Sequence, residues 1–335
     1  MKLARRRALA LFGAVLAAPN VTRAQTPAEL RIVQQFGLTY LPLVVAKQER
    51  LIEKHAARAG LRDIRVTWSR VGGGAAANDA LLSGAADYVS AGLGPFLTAW
   101  DRTRGNLDVR GVAALDASAL FLNTNNPRVS TIADFGERDR IALPAVRVSH
   151  QAVLLQIAAE KLWGQGQHGR LDRFTVALAH PDASSALLSG TEVTAHFSNA
   201  PFGQVQLKSP GIRRVTTSNE ILGGPSTVTS LYTTARVRDA SPPRNAAVLA
   251  ALAEAQTLIA EDRPRAARIY AADEGGNTDI GFLTEILGEP TTRYDLAPIS
   301  THVFADFMHR TGALRTRPES WRDYYFPDLH ARAGS

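Results

Sequence analysis

Apolar and polar residues follow two spacings along the chain, one typical of strands and one typical of helices. Strand-like runs occur at residues 30–35 and 140–143. Each run breaks at glycine or proline and leads into a helical stretch, residues 41–54 in the first half and residues 149–163 in the second. Both halves predict the order strand, loop, helix, strand, helix, strand, loop, helix. This alternation indicates parallel sheets that are covered by helices on both faces.

A repeat supports two similar halves. The pentapeptide Ala-Leu-Leu-Ser-Gly occurs at residues 80–84 and 186–190, and Pro-Phe follows each copy, at Pro95 and Pro201. Both features share one offset, because 186 − 80 and 201 − 95 both equal 106. Each copy predicts a helix that ends at Ser-Gly, then a strand, then a helix opened by proline. We expect Pro95 and Pro201 to lie at equivalent places beside a cleft.

The chain from Pro242 onward predicts mainly helices. Prolines open the first two, Asn277-Thr278 caps a third that ends at Gly288, and Ser300-Thr301 caps a fourth that ends at Gly312. The chain is longer than one core supports, so we expect two lobes. We assign residues 28–115 and 222–335, with these helices, to lobe 1 and residues 116–221 to lobe 2. Residues 109–122 and 213–233 are the segments expected to cross between them.

The N-terminus has the pattern of an export signal. Lys2 and Arg5–Arg7 precede an apolar run from Ala8 to Ala18, and Thr22-Arg23-Ala24 places small residues where a signal peptidase cleaves. The apolar run is too short for a membrane-spanning helix. We interpret residues 1–24 as a signal peptide that is cleaved after Ala24. The arginine pair before the apolar run also permits twin-arginine export.

Removal of residues 1–24 would lower the net charge of the chain. The formal net charge is +7, and residues 1–24 contain five basic groups and no acidic one, so the remainder carries 7 − 5 = +2. This weak charge gives no support for a nucleic-acid partner. The chain contains no cysteine, which excludes disulfides and a lipidated cysteine anchor. An exported protein without a tether is retained by a second membrane, so we expect a periplasmic location.

Several stretches, in order, resemble a known family. They are the helix that begins Leu41-Pro42-Leu43, the Val66-Thr67-Trp68 strand before Gly72–Gly74, and the helix end at Leu82-Ser83-Gly84 with its run to Asp87. The likeness continues through residues 145–163 and Asn199-Ala200-Pro201, and covers roughly residues 30–235. The order and spacing of these stretches resemble the substrate-binding proteins of ABC importers in the nitrate/sulfonate/taurine family.

The resemblance implies an α/β fold with two Rossmann-like lobes and a ligand cleft between them, similar to type II periplasmic binding proteins. It implies hinge closure on a small solute that is anionic or accepts hydrogen bonds, such as a sulfonate, nitrate or taurine. The implied partners are the solute and the membrane permease subunits of an ABC importer, and we expect a monomer without cofactor, metal or catalytic residues. The identity of the solute stays open.

Candidate binding residues follow from the place where ligands bind in such sheets, outside the carboxyl ends of the strands. Helix N-termini there offer free N–H groups and partial positive charge. Ser149 also suits a plain helix cap, Arg147 a solvated surface, and Gly72–Gly74 a flexible connector. The full candidate set is Gly37, Leu38, Thr39, Tyr40, Gly74, Asn78, Gly92, Leu93, Gly94, Arg147, Ser149, His150, Gln151 and Asn199.

Enzymatic alternatives lack their usual motifs. The histidines show no metal-ligand spacing such as His-Glu-x-x-His, and no Gly-x-Ser-x-Gly elbow is present. One enzymatic hypothesis stays open, an enzyme on the same scaffold related to pyrimidine (thiamine precursor) metabolism. The export signal argues against it, because precursor synthesis is cytoplasmic. A protein that reports solute to a membrane sensor is a third hypothesis, which the sequence does not separate from transport.

Overall fold

The computed structural model describes residues 28–61, 64–276 and 278–335. The interpreted signal peptide, residues 1–24, lies outside the described residues and stays a prediction. Within the described chain, none of the helices combines the length and the apolarity that a membrane crossing requires.

The described strands form two five-stranded sheets. The first has the order β2-β1-β3-β10-β4, in which β1 pairs in parallel with β2 and β3, whereas β10 runs antiparallel to both β3 and β4. Its strands are β1 (Ala28–Gln34), β2 (Ile64–Arg70), β3 (Tyr88–Gly92), β4 (Val109–Asp116) and β10 (Thr229–Thr234).

The second sheet repeats this arrangement in the order β7-β6-β8-β5-β9. Here β6 pairs in parallel with β7 and β8, and β5 runs antiparallel to β8 and β9. Its strands are β5 (Phe121–Thr124), β6 (Ile141–Leu143), β7 (Thr175–Ala177), β8 (Ala195–Ser198) and β9 (Arg213–Thr217).

The expectation of wholly parallel sheets is wrong, because each sheet contains one strand that arrives from the other half. The chain leaves the first sheet at the end of β4 and enters the second as β5. It leaves the second sheet after β9 and returns as β10. Each returning strand is inserted beside the third strand of its sheet, with antiparallel direction. The expected α/β class with two Rossmann-like halves is confirmed.

Helices connect and cover the strands. In the first half they are α1 (Leu41–Gln48), α2 (Leu51–Arg58), α3 (Gly74–Leu82) and α4 (Leu93–Arg102). In the second half they are α5 (His150–Trp163), α6 (His180–Ser189), α7 (Phe202–Leu207) and α8 (Ser218–Leu222). The last five are α9 (Ala235–Ala240), α10 (Pro242–Glu261), α11 (Arg263–Asp273), α12 (Ile280–Gly288) and α13 (Thr301–Arg310).

Three helix predictions differ from the structure. The stretch 41–54 is two helices, because Arg50 has the left-handed backbone conformation, with φ of 50°. The cap of α12 is Asp279, whose carboxylate accepts the N–H of Phe282, and Asn277 lies outside the described residues. Ser300 precedes α13 but makes no side-chain cap hydrogen bond.

The repeated sequence marks equivalent elements of the two halves. The pentapeptides end α3 and α6, and the strands that follow, β3 and β8, are the central strands of their sheets. Phe96 and Phe202 lie in α4 and α7, which each follow the central strand. The helix starts differ by three residues: Pro95 is the third residue of α4, whereas Pro201 is the cap before α7. The offset of 106 therefore reflects a shared architecture.

Candidate functional site

A small cavity lies where the helix N-termini of the two halves meet. Its free volume is about 20 Å³, which suits a group of a few atoms. Here the first half is the part of the protein built on the first sheet, including β10, and the second half is the part built on the second sheet. The first half contributes Gln35, Thr39, Tyr40, Gly74, Gly92, Pro95, Val228 and Thr229 to the lining, and the second half contributes Pro144, Ser149, His150, Gln151, His180 and Asn199. We call these two sets the first wall and the second wall.

The polar side chains of the first wall bond mainly to its own backbone. Gln35 Nε2 donates to the carbonyl of Ser90 at 2.9 Å, and Thr229 Oγ1 donates to the carbonyl of Thr39 at 3.0 Å. Burial, together with the nearby Asp116 carboxyl, raises the pKa of the Tyr40 phenol. Tyr40 is therefore a neutral phenol at physiological pH. This wall is a preformed polar surface rather than a charged one.

The second wall is built on the N-terminus of α5. Ser149 caps this helix, because its Oγ accepts the N–H of Ala152 at 3.2 Å. The cap places His150 and Gln151 in the first turn, where backbone N–H groups have no partner within the helix. The partial positive charge of a 14-residue helix therefore faces the cavity.

His150 is the least satisfied polar side chain of the site. Its ring is 2 % exposed and stacks on Phe304 with 4.4 Å between ring centroids. Neither Nδ1 nor Nε2 has a hydrogen-bond partner within the described residues. Burial lowers the pKa of His150 to about 3, so the ring is neutral and offers one donor and one acceptor. A buried polar group without a partner is costly, which points to a binding role.

Asn199 joins the two walls. Its Nδ2 donates to the carbonyl of Phe36 and to Thr39 Oγ1, both at 2.9 Å. The N–H of Leu38 also donates to the carbonyl of Ala200 at 2.7 Å. Asn199 Oδ1 has no partner among the described residues and is a further acceptor at the cavity.

Glycines permit the two halves to approach this closely. A Cβ atom on Gly92 would lie 2.6 Å from the Cβ of His150. A Cβ atom on Gly94 would collide with the carbonyl oxygen of Val148, and one on Gly74 would collide with Pro95. All three glycines belong to the predicted set of binding residues. At Gly92 and Gly94 the neighbour is the opposite half of the protein.

Charge is absent from both walls. Among the described residues that line the cavity, none is lysine, arginine, aspartate or glutamate. A buried carboxyl, Asp116, lies at the end of β4 beside the strand that carries Thr229. Burial raises its pKa to about 7, although hydrogen bonds from Ser118 oppose this rise.

Several solved structures of solute-binding proteins are similar to this chain. The alkanesulfonate-binding protein SsuA from Xanthomonas axonopodis pv. citri, bound to MOPS, matches with a TM-score of 0.68 and 23% identity over 88% of this chain and 96% of that chain. The aliphatic sulphonate binding protein SsuA from Escherichia coli matches with a TM-score of 0.66 and 20% identity over 91% and 100%. The nitrate-binding protein NrtA from Synechocystis PCC 6803 matches with a TM-score of 0.64 and 16% identity over 91% and 84%.

The chain has the periplasmic binding protein fold. These neighbours are sulfonate- and nitrate-binding proteins, the group that the sequence resembles, and the fold that this resemblance implies is confirmed. No family model matches the chain, and no curated protein matches it in sequence.

Eight of the candidate residues line the cavity of this periplasmic binding protein fold. They come from both halves and include loop, helix and strand-end positions. They are Thr39, Tyr40, Gly74, Gly92, Ser149, His150, Gln151 and Asn199. Gly37 lies directly behind this group, since a Cβ atom there would meet the Asn199 amide at 2.5 Å.

The other candidates lie elsewhere. Leu38 and Leu93 are core residues, 1 % and 0 % exposed. Asn78 lies behind the first wall and binds one of its residues. Its Nδ2 donates to the carbonyl of Pro95 at 3.0 Å, and its Oδ1 accepts from the Tyr232 hydroxyl at 2.6 Å. Arg147 is directed into solvent: its side chain is 75 % exposed and its Nε lies 3.8 Å from an oxygen of Asp172. Arg147 does not line the cavity in this structure, and its contact with the solute stays a prediction.

Six lining residues are outside the candidate set: Gln35, Pro95, Pro144, His180, Val228 and Thr229. Of these, only Pro95 was expected beside the cleft. Val228 and Thr229 were missed because the antiparallel insertion of β10 was not anticipated. His180 carried an available signal, since it follows a short strand and precedes Pro181 at the start of a helix. By the rule that ligands lie beyond the carboxyl ends of parallel strands, this position was a candidate.

Proposed function

We propose that the chain is the solute-binding subunit of an ABC importer, which captures a small anionic or hydrogen-bond-accepting solute by closure of two lobes. The observation that carries this proposal is the position of His150. Its ring is buried at the junction of the two walls, and its two nitrogens lack partners within the described residues. A solute in the cavity would supply the missing hydrogen bond.

The chemistry of the cavity supports the solute class. Helix N-termini favour negative charge and acceptor atoms. The described lining residues carry no fixed charge, so the affinity would come from neutral donors and from the dipole of α5. The small cavity favours a compact headgroup such as nitrate, a sulfonate or the sulfonate end of taurine.

The topology supports closure by a hinge. Only β4–β5 and β9–β10 carry the chain between the two sheets within the described residues. We propose residues 28–115 and 222–335 as lobe 1 and residues 116–221 as lobe 2. Rotation about two such crossings would open the cavity to solvent and close it over a solute.

The neighbours support a transport role rather than catalysis. Their names describe binding of alkanesulfonate, aliphatic sulphonate and nitrate. We extend this role to the present chain, with membrane permease subunits as partners, a periplasmic location and a monomeric state. No observation favours the alternative of an enzyme related to thiamine precursors.

A solute screen tests the function. The chain without residues 1–24 is heated with nitrate, methanesulfonate, taurine, bicarbonate, small carboxylates and pyrimidines. A true ligand at a hundred times its dissociation constant raises the unfolding free energy by about 2.7 kcal/mol. Absence of stabilisation by every compound would contradict the proposed function.

Export is tested separately by the N-terminal sequence of protein recovered from the periplasm. We expect Gln25 to be the first residue, after removal of residues 1–24. Recovery only from the cytoplasm, or with Met1 intact, would contradict the periplasmic location.

A further inference from the structure

A chain of buried polar side chains lies behind the second wall. It runs from Asn123 on β5 through Gln206 on α7 and His196 on β8 to His180 at the start of α6, and then to Gln151 on α5. Each of these side chains is at most 6 % exposed. Hydrogen bonds join Asn123 to Gln206 at 3.0 Å, Gln206 to His196 at 2.6 Å and His196 to His180 at 2.9 Å.

A backbone carbonyl fixes which side chain donates and which accepts in this series of hydrogen bonds. Asn123 Nδ2 donates to the carbonyl of Gly203 at 2.9 Å, and a carbonyl oxygen accepts only. The Asn123 amide therefore cannot be turned over, and its second N–H faces Gln206 Oε1. The Gln206 amide is fixed in turn, so its Nε2 faces His196 Nδ1 and also donates to Ser184 Oγ at 3.1 Å.

The tautomers of both rings follow. Burial lowers the pKa of His180 to about 3 and that of His196 well below the usual histidine value, so both rings are neutral. Gln206 donates to His196 Nδ1, and the proton of His196 is therefore on Nε2. This N–H donates to His180 Nδ1, so the proton of His180 is also on Nε2. That nitrogen lies 3.2 Å from Gln151 Nε2, which is itself a donor.

The last step concerns Gln151, which lines the cavity together with His180. The His180 Nε2–H requires an acceptor, and the only acceptor on the Gln151 side chain is Oε1. The two ends of an amide have nearly the same shape, so a half-turn places Oε1 against His180. The same half-turn directs the NH₂ group of Gln151 toward the cavity.

We infer that the Asn123–Gln206–His196–His180 chain fixes Gln151 as a hydrogen-bond donor at the cavity and so selects solutes that present an acceptor oxygen to α5. Gln151 is the specificity-determining residue, and Gln206 is a positioning residue that acts through the two rings. This inference rests on the proposed function for the existence of a solute. The state of the two rings does not depend on it.

The first test needs no solute. Protein with ¹⁵N-labelled histidine is studied by long-range ¹H–¹⁵N correlation, and the His180 and His196 signals are assigned from their loss in H180Q and H196Q. Both rings should carry their proton on Nε2 alone and should not titrate between pH 5 and pH 8, because their pKa values are depressed. A proton on Nδ1 of either ring would overturn the inference.

The second test removes the positioning residue. Gln206→Met keeps the length of the side chain but takes away the donor to His196, and Gln204→Met on the same helix is the matched control. In Gln206→Met the Nδ1-protonated form of His196 should become populated. Affinity for nitrate and methanesulfonate, the acceptor-only probes, should fall about fivefold to tenfold. Gln204→Met should change neither the tautomers nor the affinity.

The outcomes separate the two proposals. Equal affinity of both variants for nitrate and methanesulfonate would overturn the inference even if the solute screen succeeds. Stabilisation by ammonium chloride, but not by sodium nitrate, relative to sodium chloride would overturn it as well, because the wall would then be an acceptor. Failure of the entire screen contradicts the proposed function, and the tautomer measurement alone then decides the arrangement of the chain.

Discussion

The two halves of the protein contain sheets of the same topology, but the two walls of the cavity differ in chemistry. The first wall presents hydroxyl groups, glycine and proline, and Gln35 and Thr229 are bonded to their own half. The second wall presents imidazole and amide groups, and the His150 ring has no partner within the described residues. The difference indicates that the first wall provides shape and the second provides most of the recognition.

The same contrast extends to the buried titratable groups. In the second half burial depresses the pKa of His150, His180 and His196, whereas in the first half burial raises the pKa of Asp116 to about 7. The three histidines and Asp116 should therefore change the stability in opposite directions as the pH falls. The predictions below test these differences, beginning with the largest expected effect.

Acid should destabilise the protein through the second half. Each buried histidine gives stability that is present above pH 6.5 and is lost as the pH falls toward its folded pKa, about 3 for His150 and His180. Each contributes up to about 1.4 kcal/mol per pH unit. Asp116 acts oppositely, because its stabilisation is present below 3.8 and is lost as the pH rises toward 7. Because three histidines lower the unfolding free energy in acid and one carboxyl opposes them, the net effect of these four groups should be destabilisation.

Urea unfolding at pH 7 and pH 5 measures this balance. The unfolding free energy should be several kcal/mol lower at pH 5, with a net slope of about 2 to 3 kcal/mol per pH unit below pH 6.5. Asp116→Asn should steepen the slope and His150→Phe should flatten it. A free energy that is constant or larger at pH 5 would show that the buried histidines are not neutral in the folded protein.

Close contact between the two halves beside the cavity should be lost in Gly94→Ala. The added Cβ would collide with the carbonyl of Val148 in the opposite half, and such overpacking costs about 1 to 3 kcal/mol. Solute affinity measured by calorimetry should fall about 10- to 100-fold. Gly224→Ala is the matched control, because a Cβ there has no neighbour within 4 Å. Equal affinities in the two variants would mean that the solute-bound form does not bring the walls into this contact.

His150→Phe should affect stability and binding with opposite signs. Phenylalanine keeps the stacking on Phe304 and removes two buried nitrogens that lack partners among the described residues. The unfolding free energy without solute should rise by about 1 kcal/mol, while solute affinity should fall about tenfold. His150→Gln, which keeps a donor and an acceptor, should lose less affinity. A destabilised His150→Phe with unchanged affinity would assign His150 to packing alone.

Arg147→Ala should have the smallest effect. The Arg147 side chain is mostly exposed and its contact with Asp172 is long, at 3.8 Å. Exposed ion pairs contribute about 0 to 1 kcal/mol, so solute affinity should stay within about twofold by calorimetry. A loss of tenfold or more would show that Arg147 moves to the solute, and the second wall would then hold a charge.

The sequence predicted the α/β class and the repeated halves because both follow from local signals. Periodicity, glycine after α3 and α6, and the capping of α5 by Ser149 depend on neighbours in the chain. The antiparallel positions of β5 and β10 were not predictable in this way, because they depend on pairing between distant segments. The helix break at Arg50 was missed for another reason, because an arginine in the left-handed conformation does not change the spacing of the apolar residues.

The site could be predicted only in part. Strand ends and helix starts located eight residues of the cavity lining, but position along the chain does not determine the direction of a side chain. Arg147 shows this limit, because it lies two residues before Ser149, the cap of α5, yet faces solvent. His180 and the buried chain behind it depend on how α6, α7 and β8 pack together, which no local pattern contains.

The most direct test of the central claim is a crystal structure with the anion that gives the largest stabilisation in the screen. The account predicts that an oxygen of this anion lies within hydrogen-bond distance of His150, Gln151 or the first N–H groups of α5, between the two walls. A solute bound outside this cavity, with His150 still lacking a partner, would contradict the account.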